Sequence, residues 1–171
     1  MDPYDDNFRS ISSYAIAHKL EEKSINILIV EDDDYKYKNI VKDLKAVVED
    51  LNIFRLNNCM DALMYFRSLK NNSDNDYDLL ITDNYMPLRS DTFDLSPCAS
   101  YIINTFRNKV SKEIPVCICS GDEFEEVCDY NYFVLYDPTK SLQEDFTKII
   151  GDNNFKKNNK EDIKILKISK K

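Results

Sequence analysis

Apolar and polar positions along this chain fall into two alternating periods. Ile25-Asn26-Ile27-Leu28-Ile29-Val30 is β-branched and almost wholly apolar, which predicts a strand. Ile40, Val41, Leu44, Val47, Val48 and Leu51 then recur at helical spacing and predict a helix over roughly 35–50. The switch of period repeats with a strand at 53–56, a turn at Asn57-Asn58, and a helical face of Ala62, Leu63, Phe66 and Leu69. A polar loop over 71–76 leads to a third apolar run, Leu79-Leu80-Ile81. Pro87 is expected to stop the chain from pairing further and to begin a loop, and 88–97 carries no clear period. Tyr101, Ile102, Thr105 and Phe106 predict a third helix, and 114–119 a fourth strand. Two helical turns are expected over 122–128 and a fifth strand over 132–136. Leu142, Phe146, Ile149 and Ile150 predict a last helix, ended by Gly151.

Runs this short without polar alternation suit strands buried on both faces. Five of them, joined by connections too long for hairpins, predict an α/β domain with a doubly wound five-stranded parallel sheet and helices on both faces. The domain is placed at 25–150. Residues 1–24 form an N-terminal extension with a short amphipathic helix expected at 14–20, and 151–171 form a lysine-rich C-terminal tail. In that tail Ile163, Ile165 and Ile168 are compatible with a short strand or helix, but a solvated, partly ordered extension is the expectation.

At 171 residues and 43% hydrophobic, the chain holds enough apolar surface for one sizeable core. A formal charge of −8 argues against nucleic acid or an anionic membrane surface as main partner. It is compatible with carboxylates that await a cation. The five cysteines include no CxxC pair, and the single histidine, His18, is far from them in sequence, so a zinc site is not expected. Cys117 and Cys119 read instead as small hydrophobes on one side of a strand. No stretch approaches the length of a membrane span, and a cytoplasmic, reducing compartment is the simplest expectation.

The acids form a pattern once the sheet is assumed. Glu31 and Asp32 close the first strand, Asp83 closes the third, and Ser120-Gly121 closes the fourth. Ligands of open α/β sheets bind outside the carboxyl ends of the strands. An acid after a strand can merely start a turn. Three carboxylates and a hydroxyl on one sheet edge would make a pocket suited to Mg²⁺, which binds few protein oxygens and keeps several waters.

With "ILIVEDD", "DLLITDNYMP" and "IPVCICSG" in order, the chain resembles the response regulator receiver domain of two-component and phosphorelay signalling over about 25–150. The resemblance implies the flavodoxin-like receiver fold. It implies Asp83 as phosphoacceptor, with Mg²⁺ held by Glu31, Asp32, Asp83 and the backbone carbonyl of Tyr85. It implies Ser120 as the switch hydroxyl that hydrogen-bonds the phosphoryl group. The partner it implies is a histidine kinase or histidine phosphotransfer protein that donates from a phosphohistidine. The chain departs from the family where a Lys-Pro step normally follows strand five, because Asp137-Pro138 stands there. Lys140 and Arg89 are the candidates to supply the missing cation. The interval from Asp83 to Ser120 is longer than usual and that from Ser120 to Asp137 shorter. The glycine usual after Met-Pro is absent. Two readings of different class follow: a phosphoacceptor acting in signalling, and a pseudo-receiver that binds a protein partner without phosphorylation. A Mg²⁺-dependent hydrolase of the haloacid dehalogenase type ranks below both, because Tyr85 stands where its second acid is expected.

Overall fold

The computed structural model describes residues 24–69, 76–153 and 155. The helix expected at 14–20 with His18, most of the polar loop, and the apolar tail positions 163–168 lie outside the described residues. The elements in chain order are β1 (Ile25–Val30), α1 (Asp34–Val47), β2 (Leu51–Leu56), α2 (Cys59–Ser68), β3 (Leu79–Thr82), β4 (Tyr85–Pro87), β5 (Leu95–Pro97), α3 (Ala99–Lys109), β6 (Val116–Ser120), β7 (Tyr132–Leu135) and α4 (Gln143–Asp152).

Five strands pair in the order β2-β1-β3-β6-β7, all parallel. The period of two along each strand divides the core. Ile25, Ile27, Ile29, Leu79, Ile81, Cys117 and Cys119 face one cluster, closed by Ile40 and Leu44 of α1 and Phe146, Ile149 and Ile150 of α4. Leu28, Val30, Leu80, Val116 and Ile118 face the other, closed by Ala62 and Phe66 of α2 and Ile102, Ile103 and Phe106 of α3. The central strands β3 and β6 are buried throughout, whereas the edge strands β2 and β7 keep exposed positions such as Phe54 and Leu135. The two cysteines predicted to share a strand face do so.

Caps set the helix starts. The Asp33 carboxylate accepts the Lys36 amide at 2.7 Å and opens α1. Asn58 opens α2 by a reciprocal pair: its Oδ1 accepts the Asp61 amide at 2.8 Å and its Nδ2 donates to Asp61 Oδ2 at 2.8 Å. Buried Asp43 on α1 accepts the Leu142 amide at 2.8 Å, which ties α1 to the entry of α4.

Four expectations are corrected. Pro87 does not end pairing: β4 and β5 form a small antiparallel ladder in which Pro87 faces Leu95 and Tyr85 faces Pro97. A two-stranded ribbon leaves one edge of each strand unpaired, so a proline without an N–H is tolerated there. The helical turns expected over 122–128 are absent. Arg107 of α3 instead donates to the Asp129 carbonyl and to Asn131 Oδ1, each at 3.0 Å, while Asn131 Oδ1 also accepts the Val116 amide at 2.8 Å. These bonds commit the backbone before β7 to an extended path, with Phe124 and Tyr130 edge-on at 5.6 Å against the second cluster. Gly151 does not stop the last helix, which runs through it to Asp152. Phe155, in the stretch expected to be a solvated extension, is buried in the first cluster, so the core reaches beyond residue 151.

The Arg107 guanidinium is buried and also donates to the carbonyls of Ser111 and Ile114. Arg107→Ala removes the donor of four half-buried hydrogen bonds at once and is expected to cost ~2 kcal/mol of stability. Urea unfolding should show a lower midpoint with an unchanged slope. A midpoint equal to wild type would mean that water replaces the guanidinium without penalty.

Candidate functional site

The register of the sheet brings the predicted acids together. Val30 pairs with Thr82, and the Asp83 amide donates to the Val30 carbonyl at 3.1 Å, so Glu31 and Asp83 leave adjacent strands side by side. Thr82 pairs with Ile118, which sets Asp83 level with Cys119, one residue before Ser120. Carboxylate oxygens of Glu31, Asp32 and Asp83 lie within 4.8 Å of one another. Glu31 is buried, while Asp32 and Asp83 are half-buried at the rim.

Backbone amides orient two of these carboxylates. Glu31 Oε1 accepts the Asp33 amide at 3.0 Å, and Asp83 Oδ1 accepts the Asn84 amide at 2.7 Å. Arg55, from β2, holds the loop behind the acid pair. It donates to the backbone carbonyls of Glu31 at 3.0 Å and Asp32 at 3.2 Å, pairs with Asp34 at 2.7 Å, and lies over the Tyr37 ring at 4.3 Å. Beyond Asp83, buried Asn84 accepts the Cys98 amide on its carbonyl and the Ala99 amide on Oδ1, which fastens the β4–β5 hairpin to the start of α3.

Sequence reasoning missed the cation. Lys36, in the first turn of α1, extends into the cluster with only 7% of its side chain exposed. Its Nζ lies 2.8 Å from Glu31 Oε2 and 3.0 Å from Asp83 Oδ2, donates to the Cys119 carbonyl at 2.7 Å, and sits 5.3 Å from the centre of the Tyr136 ring. The available signal was its place five residues after Glu31, one helical turn past the Asp33 cap. Burial alone would lower the Lys36 pKa, but the Glu31 and Asp83 carboxylates outweigh it and hold the group above its ordinary value as an ammonium. Burial pushes the Glu31 carboxyl from 4.5 up to about 7, with Lys36 opposing and Asp83 reinforcing. Burial likewise raises Asp32.

The cations proposed from the sequence are elsewhere. Lys140 is exposed, 3.9 Å from Asp137. Arg89 lines a shallow surface groove with Met60, Asp61, Met64, Ser90 and Asp91. Asp137 itself is turned into its own loop, where Oδ1 accepts the Thr139 amide at 2.9 Å and its hydroxyl at 2.7 Å. These two hydrogen bonds, the hydroxyl's first, hold the Asp137 carboxyl below its usual range. Ser120 is buried at the end of β6, and its Oγ accepts a long 3.4 Å bond from the Asp122 amide. Tyr85 is exposed on β4.

An all-oxygen donor set suits a hard divalent cation. Glu31 Oε2 is buried and, although ion-paired with Lys36, accepts no well-directed hydrogen bond, so acceptor capacity remains inside the cluster. The residues fit such an ion.

The raised Glu31 pKa has a sign that can be tested. In the window from about 4.5 to about 7, the unfolded chain has released the Glu31 proton and the folded chain still retains part of it. The unfolded state therefore binds fewer protons, and the Glu31 contribution to stability falls as pH rises, with a slope of at most ~1.4 kcal/mol per pH unit. Urea midpoints in chelator, taken from pH 5 to 7.5, should fall more steeply for wild type than for Glu31→Gln. Parallel pH profiles would place the titration elsewhere.

No protein-family model matches the chain, and no curated protein matches it. Solved structures do. A signal receiver domain of two-component signal transduction from Clostridium thermocellum superposes with TM-score 0.55 at 12% identity, covering 75% of this chain and 98% of that one. The receiver domain of a sensor histidine kinase from Pseudomonas aeruginosa PAO1, with a magnesium ion coordinated in its active site cleft, gives 0.53 at 14% identity over 75% and 99%. The Mn²⁺-bound form of response regulator Rcp1 gives 0.51 at 18% identity over 77% and 93%. The sheet that carries these acids has the fold of response regulator receiver domains.

Proposed function

We propose that this chain is a phosphoacceptor in two-component or phosphorelay signalling, taking a phosphoryl group from a partner's phosphohistidine onto Asp83. One observation carries the reading: Glu31, Asp32 and Asp83 converge within 4.8 Å at the carboxyl end of a receiver-type sheet. In the transfer an Asp83 oxygen attacks phosphorus, the P–N bond breaks, and its electron pair leaves with the imidazole. Positioning and charge compensation are most of what a protein contributes to such a step.

Each contribution has a residue. Glu31, Asp32, Asp83 and the Tyr85 carbonyl would hold Mg²⁺, which when bound offsets negative charge on the transferred group. Arg55 and the backbone amides of Asp33 and Asn84 keep the carboxylates in register. The Ser120 hydroxyl is the donor proposed for a phosphoryl oxygen. Lys36 supplies the local positive charge that the sequence appeared to lack after strand five, and it enters from the opposite side of the chain order. The partner is a histidine kinase or a histidine phosphotransfer protein. Among the described residues no helix is long and apolar enough to cross a membrane.

A second reading, the pseudo-receiver, is favoured by one feature: the Lys36 ammonium already fills the space between Glu31 and Asp83. A buried ion pair can hold a fold together without taking part in chemistry.

Incubation with acetyl phosphate and Mg²⁺, read by intact mass, separates the two. The expected result is a gain of one phosphoryl group that is lost in Asp83→Asn. Because Asp137 is occupied with Thr139, Asp137→Asn should change the yield by no more than about twofold, the scale of an ordinary surface substitution. Wild type that stays unlabelled by both acetyl phosphate and a phosphohistidine donor would transfer the weight to the pseudo-receiver.

A further inference from the structure

Lys36 competes for the oxygens that a metal would need. Glu31 and Asp83 offer four carboxylate oxygens, of which Glu31 Oε1 and Asp83 Oδ1 accept backbone amides. The remaining two, Glu31 Oε2 and Asp83 Oδ2, both face Lys36 Nζ, at 2.8 and 3.0 Å. The ammonium is not a loosely placed surface charge. Its third contact is the Cys119 carbonyl at 2.7 Å, its side chain is buried, and its own amide is held by the Asp33 cap.

We propose that Lys36 is a tethered counter-cation, which keeps the acid cluster assembled without metal and must yield Glu31 Oε2 and Asp83 Oδ2 when a divalent ion enters. The proposal rests on the reading of Glu31, Asp32 and Asp83 as a metal site. Two cations that share the same pair of oxygens repel each other in a poorly solvated pocket. Metal affinity in the wild type is therefore lower than three carboxylates alone would give. The stabilisation that a metal confers by binding only the folded state is correspondingly small. The leash is short, because Lys36 leaves the first turn of α1, and the Tyr136 ring 5.3 Å away offers the displaced ammonium a nearby resting place.

The full chain and its Lys36→Met variant, similar in side-chain length but uncharged, are titrated with Mn²⁺ by calorimetry, and thermal midpoints are followed with and without the ion. Lys36→Met is expected to bind Mn²⁺ about tenfold more tightly or better, the scale set by removing one unit charge beside a divalent ion. Its midpoint should lie below wild type in chelator and rise further than wild type in Mn²⁺. Equal affinities, with both proteins binding, overturn the proposal and leave the metal site standing. Absence of Mn²⁺ binding in both overturns the metal site and the proposal with it. A measurement on wild type removes any dependence on how the variant folds. The Lys36 ammonium, buried in metal-free protein, should give an exchange-protected ¹⁵Nζ signal that disappears or shifts at saturating Mg²⁺. A signal unchanged by saturating Mg²⁺ overturns the proposal.

Discussion

One buried ammonium, Lys36, is the interaction on which the carboxyl edge of this sheet depends. Glu31 and Asp83 end neighbouring parallel strands, so the register forces two carboxylates together where burial already penalises charge. Left alone, one of them would have to protonate or the strands would have to splay. Lys36 resolves the conflict by facing both and by anchoring on the Cys119 carbonyl of a third strand. It thus links α1, β1, β3 and β6 at one point. Withdrawing one partner from such a buried set costs far more than the set contributes as a whole. The cluster is therefore a structural commitment of the fold.

Around that point the remaining polar contacts act as positioning devices. Arg55 holds the two carbonyls of the acid pair from β2, and Asn84 joins the end of β3 to the hairpin and to α3. Neither group needs to touch a phosphoryl group to matter. Each removes freedom from a backbone segment next to one of the clustered carboxylates, and such preorganisation is what the proposed phosphoryl transfer would demand. Two neighbours with the receiver fold hold Mg²⁺ or Mn²⁺, at 14% and 18% identity to this chain.

The departures in spacing from the usual receiver pattern lie in two connections. The long one, after Asp83, folds into the β4–β5 hairpin, with Phe93 and Leu95 left exposed. The short one, between β6 and β7, forgoes its helix for an extended path fastened by Arg107 and Asn131. Both lie beside the strands that carry Asp83 and Ser120.

The apolar runs pointed to the sheet, because Ile27 to Val30, Leu79 to Ile81 and Val116 to Cys119 are too short for helices, largely β-branched in two of the three, and suit strands buried on both faces. They also determined that Glu31, Asp32, Asp83 and Ser120 would share one edge, since parallel strands put all their carboxyl ends on the same side. The local chain was less decisive where hydrogen-bond partners come from far away. Residues 122–128 carry some helical character, yet they lead without a helix into Asp129 and Asn131, which Arg107 of α3 holds from far along the chain. Pro87 forbids one backbone donor but not a two-stranded ribbon, and only the approach of 95–97 creates one. Lys36 reads in the sequence as one more charged residue on an amphipathic helix, among Asp34, Lys38 and Lys42. That it turns inward, while Asp137 turns away toward Thr139, depends on which carboxylates the sheet register has gathered beneath α1. A long flexible side chain takes its direction from charges brought near by tertiary structure, and no local period encodes that.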